Sequence, residues 1–97
     1  MPAYVIADVE ITDSSAYEEY KKQTPATIAA FGGKFIARGG QVEVLEGDWN
    51  PNRVVILEFE SVEKAKEWWA SPMYQPARDL RQRVSRGSLI VVEGVPS

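Results

Sequence analysis

The chain has 97 residues, no cysteine, no histidine and a formal net charge of −3. That length suits one domain, and 44% hydrophobic with 26% charged residues is an ordinary globular composition rather than a disordered one. The acidic balance argues against general nucleic-acid binding; the missing residues exclude disulfides, thiolate chemistry, Ser-His-Asp triads, His-ligated haem and imidazole metal sites.

Residues 3–11 alternate as a strand, with Ala3, Val5, Ala7, Val9 and Ile11 on one side and Tyr4, Ile6, Asp8 and Glu10 on the other. Asp13-Ser14-Ser15 then offers helix caps: Ser15 and Glu18 have capping-box spacing, and Asp13 is an equally good cap. Tyr17, Tyr20, Thr24, Ile28 and Phe31 follow at helical spacing as one buried stripe. Pro25 predicts a kink or restart within that helix, and Gly32-Gly33 ends it.

Lys34–Arg38 and residues 41–46 flank Gly39-Gly40 and read as one strand bent or bulged at the glycines, or as two short strands. Residues 47–52 form a turn by composition, and 53–60 are the strongest strand in the chain. Ser61 caps a second helix through Val62, Ala65, Trp68 and Trp69. The helix breaks at Ser71-Pro72 and resumes over residues 73–84, with Pro76 in its first turn. Gly87 stops it, and 88–93 is the last strand. Trp68 and Trp69 lie about 100° apart on a helix, so one belongs to the core and the other lines a cleft or meets a partner.

The order β-α-β-β-α-β predicts one ferredoxin-like α+β domain over residues 1–97, a four-stranded antiparallel sheet with its helices on one face. The strands are apolar on both sides: Val54 and Ile56 oppose Val55, Leu57 and Phe59, while Ile90 and Val92 oppose Leu89 and Val91. A sheet with one wet face alternates between apolar and polar residues. The pattern therefore predicts a homodimer in which a second sheet packs on the first. The N-terminus lacks a signal-peptide pattern, and no stretch is apolar and long enough to span a bilayer. The expectation is a cytoplasmic protein with no membrane or nucleic-acid partner.

Several stretches resemble the bacterial DUF1330 family of the dimeric α+β barrel superfamily. They are Tyr4; Asp13 with Tyr17 and Tyr20; Gly32-Gly33-Lys34-Phe35; Arg38-Gly39; Leu45-Glu46-Gly47; Glu58-Phe59 with Ser61; Ala65 with Trp68; Ser71-Pro72; Tyr74-Gln75; Arg81; and Glu93-Gly94. Pro76 departs from the family pattern. The resemblance implies a dimer of ferredoxin-like domains and no assigned activity. Neighbouring families suggest, by fold analogy only, a cofactor-free isomerase or monooxygenase.

The candidate chemistry rests on carboxylates, phenols, indoles and guanidinium groups. Asp8 and Glu58 are catalytic candidates if adjacent strands bring them close enough to drive their pKa values apart; as rim residues they would be solvated or ion-paired. Tyr17, Tyr20, Trp68 and Tyr74 are candidates to line a ligand cleft, or form core. Arg38 and Arg81 suit a carboxylate or enolate, as catalytic or binding groups, or else form surface salt bridges. No metal or cofactor is expected. The functional readings are a binder of a small organic ligand between helices and sheet, a cofactor-free enzyme on a small acidic substrate, and a structural dimer with no ligand.

Overall fold

Side-chain alternation along the first strand decides which way the sheet faces. In the computed structural model, which describes residues 1–96, strand β1 (Ala3–Ile11) buries Ala3, Val5, Ala7 and Val9 on one side. Helix α1 (Ser14–Ala30) follows, then β2 (Lys34–Arg38), β3 (Arg53–Phe59), α2 (Val62–Ala70), α3 (Gln75–Val84) and β4 (Ser85–Glu93). The strands pair antiparallel in the order β2-β3-β1-β4, the ferredoxin-like α+β arrangement expected, with the second helix split in two. Across the centre, Val5 faces Leu57 and Val91, and Ala7 faces Val55 and Leu89. This inner side carries the helices. No helix among the described residues is long and apolar enough to cross a membrane.

The caps follow the sequence. Asp13, rather than Ser15, closes the first turn of α1 by accepting from the Ala16 N–H at 3.1 Å. Ser61 does the same for α2 through the Lys64 N–H. Helix α1 runs through Pro25 as one element, and Pro76 sits in the first turn of α3, where its missing N–H has no helical partner to lose.

The core closes around four large buried side chains: Ile28, Phe59, Trp68 and Tyr74. Tyr74 stacks on Trp68 with 4.1 Å between ring centroids, and Phe59 lies 5.4 Å from Trp68. The Trp68 Nε1–H donates to the Thr27 hydroxyl at 3.0 Å, and that hydroxyl donates onward to the Thr24 carbonyl. Each ring contributes about 2–3 kcal/mol by leaving water, and the indole N–H keeps a partner while doing so. Trp69, its sequence neighbour, is exposed with its ring under the Arg78 guanidinium. The core member of the pair is Trp68.

Three expectations are corrected. Residues 41–46 form no strand. Strand β2 is at the edge of the sheet, so beyond Gly39-Gly40 their alternating valines have no strand to pair with among the described residues. The segment instead crosses the outer sheet face near Ile6, Ala37, Val54 and Ile56. The bulge lies at Ile36, between the pairs Phe35–Leu57 and Ala37–Ile56, not at the glycines. Strand β4 begins at Ser85 directly after α3, so Gly87 is inside the strand. It takes φ +153° opposite Val9, and a Cβ there would stand 1.9 Å from the Asp8 carbonyl oxygen. Glycine permits that close approach to β1.

The outer face is the unfinished side. Ile36, Ile90 and Val92 are 45–56% exposed on it, and the molecule is only 17 Å thick against 36 and 34 Å in its other extents.

Candidate functional site

A cavity opens between α1, α3 and the inner sheet face. Its walls are mostly apolar, including Val5, Ala7, Val9, Ile28, Val55 and Leu57, with Trp68 at one side. The polar lining is unbalanced. Lys21, Arg38, Arg53 and Arg81 face the cavity, four of the chain's 11 Lys and Arg residues, against none of its 14 Asp and Glu. A chain with net charge −3 thus concentrates positive charge in this inner cavity. The cavity itself is small, about 30 Å³. That suits a small head group deep inside, with any larger body towards the mouth.

The Ile36 bulge places Arg38. Before it, Phe35 points inward with Leu57, so simple alternation would send Arg38 to the outer face. One extra residue reverses the parity: Ala37 pairs with Ile56 on the outer face and Arg38 with Val55 on the inner. Pro25 then supplies an acceptor. Lacking an N–H, it cannot bond the carbonyl four residues back, that of Lys21. The Arg38 Nη2–H donates to that oxygen at 3.1 Å, and its guanidinium lies 4.4 Å over the Phe35 ring. Arg38 therefore ties β2 to α1 at the exposed rim.

Arg53 lies deeper. It opens β3 opposite Val9, on the same side as Val55, Leu57 and Phe59. Its guanidinium rests against Gly39, where a Cβ would fall 2.2 Å from Nη1 and 2.6 Å from Cζ. Gly39 has φ +70°, so glycine provides both the turn and the space. The Arg53 Cζ is 5.7 Å from the centre of the Tyr17 ring. Its Nε is buried without a hydrogen-bond partner among the described residues. Arg81 projects from α3 into the same cavity.

The phenols form a graded series. Tyr17 packs tilted against Tyr20 at 5.2 Å, and the Tyr20 and Tyr74 hydroxyls are hydrogen-bonded at 2.8 Å. Burial pushes the Tyr17 phenol above its ordinary pKa, helped by Tyr20 and opposed by the positive Arg53 and Arg81. Burial, again first, raises Tyr74 much further. Both are neutral hydroxyls near pH 7, donors rather than bases.

Of the residues predicted for a site, Tyr17, Tyr20, Arg38, Trp68 and Arg81 line this one cavity. Tyr74 is completely buried behind it and reaches it through Tyr20. Asp8 and Glu58 do not meet. Glu58 is opposite Tyr4 and Asp8 opposite Val54, four residues along the strands, or about 13 Å. Both point to the outer face. Asp8 accepts from the Trp49 indole N–H at 3.0 Å and the Asn52 N–H at 2.9 Å, so it pins the crossing loop, and Glu58 lies 3.9 Å from Lys34. Asp79, two residues before Arg81, lies 3.7 Å from Arg78. Arg53 and Lys21 did not figure among the predicted residues. Arg53 had a readable signal: it stands two residues before Val55, with the parity of the inward-facing set.

The family model described as a domain of unknown function, DUF1330, matches residues 2–95. No curated protein matches the sequence. Among solved structures, a protein of unknown function from Rhodopseudomonas palustris superposes with a TM-score of 0.77 at 23% identity, covering 99% of this chain and 84% of that one. SnoaB, a cofactor-independent oxygenase from Streptomyces nogalater, gives 0.67 at 13% identity over 99% of this chain and 95% of its own. A dimeric ferredoxin-like protein of unknown function from Jannaschia gives 0.62 at 14% identity over 99% and 100%. At these identities the likeness is one of fold.

Proposed function

The chain belongs to the DUF1330 family, and from the site it carries we propose that it binds a small organic molecule between its helices and its sheet. The observation that carries this reading is the apolar inner cavity bearing Tyr17, Tyr20 and three guanidinium groups. A space kept only for packing would be filled by side chains, and arginines placed there only for structure would face carboxylates. The enzyme reading has the oxygenase fold neighbour in its favour. Against it, no carboxylate lines the cavity, and Tyr17 is held in its neutral form. Binding needs no proton acceptor there, so it is the reading the lining favours.

The outer face supports a homodimer. Ile36 on one edge strand and Ile90 and Val92 on the other leave apolar side chains exposed on that face, and the Jannaschia neighbour is described as dimeric. Sedimentation equilibrium at micromolar concentration should find two copies. A folded monomer would contradict this part of the reading.

The ligand is tested by incubating purified protein with a cellular small-molecule extract, washing, denaturing and weighing what is released. Ala7→Leu, which fills the cavity from β1, is the comparison. Compounds enriched by the wild type and lost in Ala7→Leu are expected. No enrichment over that variant would overturn the assignment.

A further inference from the structure

Resting on that reading of the cavity, the geometry points to a carboxylate, or the chemically equivalent enolate, as the ligand's head group, with Arg53 as its receptor and the Tyr17 hydroxyl as a neutral second donor. Four observations converge on Arg53 rather than on the other cations. Its Nε is buried and unpartnered among the described residues, although an N–H removed from water needs an acceptor. No Asp or Glu side chain lines the cavity to supply one. Arg38 already gives an N–H to the Lys21 carbonyl and stacks on Phe35 at the rim, and Lys21 pairs with Glu18 at 3.2 Å. Gly39 leaves the room that the Arg53 guanidinium occupies, which fixes the group against the Tyr17 ring instead of letting it swing to solvent.

The shape agrees with the charge. A planar carboxylate matches the fork of a guanidinium through two parallel hydrogen bonds. The inner space, about 30 Å³, accepts two oxygen-sized atoms and little more. The rest of the ligand then lies against the apolar and aromatic lining, which includes Val55, Leu89 and Phe35. Arg81, on the opposite wall from α3, adds to the positive field without needing direct contact. The class is therefore a monoanionic acid with an apolar or aromatic body.

Titration calorimetry with benzoate and with benzamide, its neutral isostere, tests this directly. Benzoate should bind at least about tenfold more tightly than benzamide, because only the anion matches the guanidinium charge. Arg53→Met should abolish that preference by lowering benzoate affinity far more than benzamide affinity, whereas Arg38→Met should keep most of it. Arg53→Lys should retain attraction but weaken benzoate severalfold, since a point charge replaces a fork. Circular dichroism establishes that each variant is folded; the wild-type comparison of the two probes stands without any variant. Equal binding of benzoate and benzamide would overturn the carboxylate class while leaving the cavity reading intact. Binding of neither probe, together with no enrichment from the extract, would remove the cavity reading itself. An Arg53→Met protein that still prefers benzoate, or a crystal grown with benzoate showing only water at the Arg53 Nε, would overturn Arg53 as the receptor.

Discussion

The space between sheet and helices has two ends built from the same strands and opposite in character. At one end Phe59, Trp68, Tyr74 and Ile28 are packed shut, and each polar atom they bring is answered: the Trp68 N–H by Thr27, the Tyr74 hydroxyl by Tyr20, the Ser71 hydroxyl by the Trp68 carbonyl. At the other end Tyr17, Arg53 and Arg81 surround open volume, and the Arg53 Nε has no partner among the described residues. A protein that closes one end so completely has the means to close the other. Good geometry and full satisfaction mark stability, and an orphan buried donor beside a cavity marks a place kept for something else.

The largest effect should come from breaking the closed end. Trp68→Ala removes the ring on which Tyr74 and Phe59 rest, and it should lower the free energy of unfolding by about 3–5 kcal/mol in urea denaturation. A loss under about 1 kcal/mol would mean that this end is not the core. Thr27→Val keeps the volume but leaves the Trp68 Nε1–H without its acceptor; about 1–3 kcal/mol should be lost. At the open end the sign should reverse. Arg53→Met replaces a part-buried guanidinium whose Nε–H lacks a partner among the described residues with an apolar chain of similar reach, so unliganded stability should stay level or rise by up to about 1 kcal/mol. A clear destabilisation by Arg53→Met would make it a structural arginine and erase the contrast.

How much of this contrast was legible in the residues differs between the two ends. The closed end was readable, because helical spacing assembles its α1 stripe and the adjacency of Trp68 and Trp69 forces one of them inward. The open end was only half readable. Tyr17, Tyr20 and Arg81 lie on helices, where spacing predicts direction. Arg38 was singled out from the family resemblance, but its direction depends on a bulge at Ile36 that no turn residue marks. Arg53 had the correct parity, yet a charged residue at the start of a strand reads as a solvated end. Residues 41–46 misled for a related reason: alternation describes a chain fit for pairing, and pairing also needs a neighbour. Asp8 and Glu58 share a sheet face, but closeness depends on register, which their sequence positions leave open.

Alkali should distinguish the two ends by degree. Tyr17 and Tyr74 are raised in the folded protein, while an unfolded tyrosine ionises near pH 10. Folded phenols hold their protons where unfolded ones lose them, so this stabilisation is complete below about pH 10 and declines as pH rises towards the folded values. The melting temperature should therefore not vary with pH through these groups between pH 7 and 9 and should fall above 10. Tyr74→Phe, which removes the larger perturbation, should flatten that fall more than Tyr17→Phe. The opposite ranking would place the deeper burial at the open end.

The smallest effect concerns the rim, where the open end is held to β2. Arg38→Met gives up one exposed hydrogen bond to the Lys21 carbonyl and should cost about 0.5 kcal/mol. That bond exists because Pro25 cannot use the same oxygen. With Pro25→Ala the helix recovers its own N–H at that position, and the cost of Arg38→Met should shrink towards zero in the double variant. A coupling of about 0.5 kcal/mol between two residues 13 positions apart would trace the attachment of the rim to the missing proline N–H. Additive effects would leave Arg38 held by the Phe35 ring alone.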